Sequence, residues 1–300
     1  MFDIISPFFI KIAMSSHGTR VIQKLLDIIP QSKILIQKIT FAINNNLLDI
    51  TMDANSNHII QKYVTVVRYP LNSIIYDNIV RNFLVIARDK FGCCMMQKCV
   101  ECGTEEQKEV LFMLSLKYSP ILIVDQYGNY VLQYIARTGN QKCISSLVTL
   151  IITNIQSFCC QKFSSNVIEK CIESSSPEIQ TFLINSIIKN EKLISALLID
   201  SYGNYIIQKI LMVTKGKTYH YILNQIAINE ERIRRVSFGN RILAKLMSLH
   251  KDLCFMLNKP PSIMNYNINN EYNGNVNFHN SNNYSYLNRS IAHSNMNQYK

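Results

Sequence analysis

Two side-chain amides one helical turn apart, with a flat side chain beside them, can grip a planar polar molecule. Asn204, Tyr205 and Gln208 stand in that arrangement, at i, i+1 and i+4. On a helix, i and i+4 lie one above the other on the same face, so the two amides offer donors and acceptors along one line. The i+1 residue points to the side, where an aromatic or guanidinium plane can stack on a ring. Unpaired nucleobases are held by such edge hydrogen bonds and stacking. One triplet of this kind would be ordinary helix surface.

The triplet recurs. Equivalent places hold Thr19, Arg20 and Gln23; Asn57, His58 and Gln61; Cys93, Cys94 and Gln97; Asn129, Tyr130 and Gln133; and Ser165, Asn166 and Glu169. Each lies in a repeated phrase: HGTRVIQK at 17–24, SNHIIQK at 56–62, FGCCMMQK at 91–98, YGNYVLQ at 127–133, FSSNVIEK at 163–170 and YGNYIIQK at 202–209. A weaker copy, FGNRILAK at 238–245, closes the series with Ala244 at i+4. Aligned on the i+4 residue, successive phrases are 38, 36, 36, 36, 39 and 36 residues apart. A period near 36 is that of helical solenoid units.

Each unit reads as helical. Leu122, Ile123 and Val124 precede a turn at 125–128, and an apolar stripe follows at Val131, Leu132 and Ile135. Gly92, Gly128, Gly203 and Gly239 stand just before the phrase helix, where a tight turn leaves no room for a side chain. Units of this size cannot bury an apolar face alone and must stack. The expected organisation is a repeat domain over residues 1–258 and an Asn-rich, disordered tail over 259–300. Residues 262–300 include 13 Asn and no aliphatic periodicity.

The net charge of +11 belongs mostly to the repeats, since residues 1–258 carry 28 basic and 19 acidic side chains, a net +9. A basic folded body favours a polyanion, nucleic acid or acidic membrane. No run reaches the roughly 18 apolar residues needed to span a bilayer, and Asp3 stands where a signal peptide wants positive charge. Nine scattered cysteines, an odd number, fit a reduced intracellular compartment. Cys99 and Cys102 form a CxxC, but no second Cys or His pair stands at zinc spacing, so a buried helix pair is expected. Cys159, Cys160 and Cys171 read as small core residues. No phosphate-binding loop, dinucleotide fingerprint or nucleophile elbow occurs. The reading is no enzyme, no metal and no cofactor. An armadillo- or HEAT-type protein scaffold has a similar period, but such a scaffold has no reason to keep Gln or Glu at one phase through six consecutive units.

The phrases resemble the second-helix motifs of Pumilio-family (PUF) repeats, a match covering residues 1 to about 258. The resemblance implies an all-α, right-handed, armadillo-like solenoid of three-helix repeats. The phrase at 163–170 is similar to the family's seventh repeat, whose reading position carries Glu, with 202–209 as the eighth and 238–245 as the C-terminal cap. Counting back, the family's two N-terminal repeats and their cap are expected to be missing, with Phe8, Phe9, Ile10 and Ile12 near an exposed end.

The family's binding mode runs RNA antiparallel to the protein along the concave face. Carried over, Asn/Gln at 57/61, 129/133 and 204/208 implies uracil, with His58, Tyr130 and Tyr205 stacking. Ser165 with Glu169 implies guanine, with Asn166 at the stacking place. A carboxylate is acceptor-only, and guanine offers two donors on its Watson–Crick edge. Thr19 with Gln23 implies adenine, with Arg20 stacking, and Cys93 with Gln97 fits adenine although Cys94 replaces the usual stacker. The implied target is 5′-UGUAUA-3′. The resemblance further implies a monomeric cytoplasmic protein that binds mRNA 3′ untranslated regions and represses translation, recruiting repressor or deadenylase proteins on another surface. The alternatives are a protein-interaction solenoid with decayed RNA contacts and a nucleolar ribosome-assembly relative. Nucleolar relatives usually lose the Asn/Gln/Glu pattern kept here.

Overall fold

The computed structural model of the chain describes residues 6–28 and 32–257, so the expected tail at 259–300 lies outside the described residues. Among the described residues there are helices and turns and no strand. The seven phrases form the helices α1 (Gly18–Ile28), α2 (Asn57–Val66), α3 (Gly92–Cys102), α4 (Gly128–Thr138), α5 (Ser164–Ser174), α6 (Gly203–Val213) and α7 (Gly239–Leu249). From α1 to α6 each phrase helix lies against the next, forming one row. A second row is made by Lys33–Asn45, Ser73–Arg81, Glu105–Lys117, Gln141–Thr153 and Pro177–Ile188, again packed in sequence order. A short helix such as Ile155–Cys159 links the rows within a unit. The result is the expected all-α solenoid of three-helix repeats.

Local signals set the helix boundaries. Thr104 and Gln107 form a capping box at the start of Glu105–Lys117, while Asn140, Ser176 and Asn190 cap the helices that follow them. The apolar stripe of each phrase goes inward, and Ile60, Leu132, Ile168, Ile207 and their neighbours are fully buried. At i+2 the side chain is buried in six units, from Ile59 to Ile242, whereas Val21 of α1 is 61% exposed. Phe8 is exposed as well, but Phe9 is buried and Ile10 and Ile12 are half-buried.

The glycine before each phrase helix is a packing requirement. A Cβ on Gly92 would lie 2.2 Å from the carbonyl oxygen of Ile86, and one on Gly203 would lie 2.6 Å from Leu197 Cδ2. In both cases the obstacle is the residue six places earlier, on the short helix. Two units use serine at this place, and there the hydroxyl turns the close approach into a bond. Ser56 Oγ donates to the Ile50 carbonyl at 3.1 Å, and Ser164 Oγ to the Phe158 carbonyl at 2.6 Å. Either residue holds the short helix against the start of the phrase helix and thereby fixes where the i residue emerges.

Candidate nucleic-acid interface

The turn before each of the helices α2 to α6 is tied by one side chain that the sequence reading did not single out. Asp125 Oδ1 accepts from the backbone amides of Tyr127 and Gly128, at 2.9 and 2.8 Å. Asp53, Asp89 and Asp200 make the same pair of bonds in their own turns, and Gln161 Oε1 makes them ahead of α5. The signal was an Asp three residues before the Gly. Burial opposes the Asp125 charge, yet the Gly128 amide, Arg88 and the Tyr127 amide outweigh it and hold the carboxyl below its ordinary value. Arg88 comes from the preceding unit, with Nε 2.8 Å from Asp125 Oδ2, so this cap also joins two repeats.

The turn carbonyls then orient the residue at i. Asn129 Nδ2 donates to the carbonyls of Asp125 and Gln126, at 2.8 and 3.0 Å. Asn57 and Asn204 do the same with the carbonyls of residues 53 and 54 and of 200 and 201. All three asparagines are almost fully buried. Each Oδ1 then accepts from the i+4 glutamine, with Gln61, Gln133 and Gln208 Nε2 at 2.9, 2.7 and 2.8 Å. The i residue therefore does not stand beside its glutamine as an equal gripping group. It holds the glutamine. In α1, Thr19 takes this part, donating to the Asn55 carbonyl of the next unit at 2.9 Å and accepting from Gln23 Nε2 at 3.0 Å.

This lock leaves each held glutamine with Oε1 as acceptor and one Nε2–H as donor, side by side. That pair complements uracil, which presents N3–H beside a carbonyl, and equally adenine, which presents N1 beside an amino group. The units differ from one another in the residue at i. Asn57, Asn129 and Asn204 differ from Thr19 and Cys93 at i in shape and in the bonds they make, Thr19 reaching to the next unit and Cys93 only to its own turn.

Two units lack the lock. Cys93 Sγ donates to the Lys90 carbonyl at 3.4 Å, and among the described residues Gln97 has no partner. In α5, Ser165 Oγ turns back to the Lys162 carbonyl at 3.3 Å and leaves Glu169 alone. Glu169 is half-buried and has no hydrogen-bond or ion-pair partner among the described residues. Burial pushes its carboxyl above the ordinary value, against the pull of Lys209, Lys170 and Lys245. Lys170 and Lys209 both pair with Glu173, at 2.5 and 3.6 Å. Glu169 is thus an acceptor with nothing yet to accept.

The stacking candidates Arg20, His58, Cys94, Asn166, Tyr130 and Tyr205 are all exposed, the last two at 50% and 47%. Every candidate triplet thus has a buried i residue, a half-buried i+4 residue and an exposed i+1 residue, in one row across six helices. The thiols behave otherwise. Cys99, Cys159 and Cys171 are fully buried, and burial pushes Cys159 and Cys171 up to about 12, while Cys102 and Cys160 are half-buried. Among the described residues no group of His, Cys, Asp and Glu could hold a metal ion, and no helix is long and apolar enough to cross a membrane.

Fold and site together define an α-solenoid that presents one half-buried polar side chain and one exposed neighbour per repeat. Residues 8–40, 82–113, 121–152, 154–188 and 194–227 match the sequence model of the Pumilio-family RNA binding repeat. The chain belongs to the Pumilio (PUF) family of RNA-binding repeat proteins. A Pumilio domain-containing protein of Schizosaccharomyces pombe is 33% identical over 83% of this chain and 36% of its own length. Pumilio homolog 12 of Arabidopsis thaliana is 28% identical over 80% of this chain and 40% of its own. The chain therefore spans less than half of these curated relatives. Among solved structures, the Puf4 RNA binding domain bound to the HO endonuclease RNA 3′ UTR recognition sequence is 31% identical with a TM-score of 0.74, covering 81% of this chain and 77% of that one. PUF-8 in complex with PBE-RNA is 26% identical, with a TM-score of 0.74, over 82% and 73%.

Proposed function

We propose that the chain binds single-stranded RNA by sequence, one base per repeat, with 5′-UGUAUA-3′ as its preferred element. The carrying observation is the repeated lock at i and i+4, broken in α5, where a free carboxylate replaces the glutamine. A row of identical readers would select a homopolymer. A row with one acceptor-only position selects a donor-rich base, guanine, at that point. The net charge of +9 on residues 1–258 supplies the sequence-independent attraction to phosphates.

The target class is a messenger 3′ untranslated region, which the Puf4 complex supports by similarity. The action is cytoplasmic repression of that messenger, through repressor or deadenylase proteins held on another surface of a monomeric protein. Selection of bound RNAs from a random pool tests the base reading, with a UGU core as the expected outcome. At physiological salt the hexamer should bind at least tenfold more tightly than its scrambled version, because phosphate contacts position while base contacts specify. Equal affinities would overturn the reading.

A further inference from the structure

We infer that α7 forms a seventh nucleotide subsite, one that stacks a base and neutralises its phosphate without reading it. The inference rests on the RNA-binding reading above. This unit keeps the close approach of glycine to the short helix, a Cβ on Gly239 lying 1.6 Å from the Ile233 carbonyl oxygen, but Val236 replaces the capping Asp and the Gly239 amide donates to the Val236 carbonyl instead. The side chains on that turn differ from those of the six readers. Asn240 is exposed, and its Oδ1 accepts from Arg234 Nη1 at 3.1 Å rather than from an i+4 glutamine. At i+4 stands Ala244, exposed, with no group to meet a base edge. At i+1 stands Arg241, also exposed, whose guanidinium plane stacks on any ring. α7 lies less closely against α6 than the earlier phrase helices lie against each other, so a long side chain is what reaches across.

The i+5 lysines give the second observation. Lys62 pairs with Asp27 at 2.5 Å and Lys209 with Glu173 at 3.6 Å, each time the i+8 acid of the preceding unit. In α6 that place holds Met212, and Lys245 makes no ion pair among the described residues, although its charge is felt at Glu169. Residues 230–251 contain six basic and two acidic side chains, so +4 of the +9 on residues 1–258 is concentrated there. The two acids, Glu230 and Glu231, are paired with Arg234 and Arg235, and Asp252 follows just beyond. A nucleotide adjoining the one held by Asn204 and Gln208 therefore meets a plane for its ring, an ammonium for its phosphate and nothing for its edge.

The test uses 5′-UGUAUA-3′, its four versions extended by one 5′ nucleotide, and its four 3′-extended versions. Binding is measured on the full chain and on Arg241→Ala, Lys245→Ala and Ala244→Gln, all at exposed positions. A 5′ nucleotide should tighten binding about tenfold, alike for all four bases within about twofold. The gain should vanish in Arg241→Ala, with hexamer affinity nearly unchanged, and shrink in Lys245→Ala. Ala244→Gln should make the added position selective. A gain confined to the 3′ extension and lost in Arg241→Ala would keep the subsite and reverse the strand direction. No gain from either extension, a gain that survives Arg241→Ala, or a tenfold spread among the four bases overturns the subsite. Failure of the base reading shows separately, as equal binding of the hexamer and its scrambled version.

Discussion

Gln133 Nε2 donates to Asn129 Oδ1 at 2.7 Å, and this bond decides which atoms of the glutamine remain for a ligand. Without it the amide could present either end outward. With it, the acceptor and one donor stay in a fixed order, and no ordering entropy is lost when a base arrives. Behind the bond stand the two turn carbonyls that orient Asn129, and behind those the Asp125 cap that shapes the turn. The orientation of Gln133 is thus set by a chain of contacts three residues deep.

That chain predicts the effect of Asn129→Cys. The substitution gives α4 the Cys/Gln pair of α3, frees Gln133 and opens space at i. Preference at the corresponding base should move from uracil to adenine, by about 1–3 kcal/mol. Removing a buried, hydrogen-bonded amide should also cost about 1 kcal/mol of stability. Competition binding with both RNAs, beside a denaturant titration, measures the two effects. An unchanged preference for uracil would mean that Asn129 does not set the size of the site.

Cys94 is exposed where Tyr130 and Tyr205 offer rings. Cys94→Tyr should tighten binding by about 1–3 kcal/mol through stacking, without altering which base is preferred beside it. Equilibrium binding to the hexamer and to variants at that base checks both parts. A change in preference would show that the i+1 residue reads as well as stacks.

Asp125 caps a helix and joins two units through Arg88. Asp125→Ala should destabilise the protein by about 1 kcal/mol from the lost cap, and Asp125→Asn, which keeps an acceptor, by less. Thermal unfolding of the two variants should rank them in that order.

Glu169 gives a pH dependence of two signs. Burial raises its carboxyl above the ordinary value in the folded state, so the folded protein holds the proton more tightly than the unfolded chain does. Its contribution to stability therefore falls as pH rises through the raised value and recovers below it. Glu169→Gln should consequently be more stable than the parent at neutral pH, with the advantage disappearing under mildly acidic conditions. Guanine binding should run the other way, weakening on acidification because a protonated carboxyl no longer accepts twice. Melting curves and binding measured across pH 4–7 separate the two. Parallel trends would mean that Glu169 does not face the RNA.

The period, the helix row and the spacing within each triplet were legible in the sequence because they depend on spacing alone. The division of labour within a triplet was not. Asn57, Asn129 and Asn204 are buried because the turn carbonyls stand within reach of Nδ2, and only the turn's fold shows that. Ser56 and Ser164 stand where the other units carry glycine. Their equivalence to it rests on the bonds to the carbonyls of Ile50 and Phe158, which the sequence does not show. The capping Asp recurs in four units, but a turn acid in a basic chain carries no distinguishing chemistry until its two amide partners are known.

The sharpest prediction concerns converting α5 into a copy of its neighbours. Ser165 is almost fully buried, with its hydroxyl toward the Lys162 carbonyl, one of the two carbonyls an asparagine would use there. Ser165→Asn with Glu169→Gln should therefore rebuild the lock, with the new amide held by the carbonyls of residues 161 and 162 and the new glutamine held by the amide. The carboxylate that suits guanine is gone, and uracil meets the acceptor and donor that the other Asn/Gln units offer. The double variant should prefer 5′-UUUAUA-3′ over 5′-UGUAUA-3′ by about 1–3 kcal/mol, where the parent protein shows the opposite order. Glu169→Gln alone keeps the small serine and the space for a purine, so it should turn toward adenine at that base. Measuring the parent and both variants against the three RNAs separates a reading residue from a solvated one. If Glu169 only faces water, all three proteins keep one order of preference, and the reading row has been placed on the wrong face of α5.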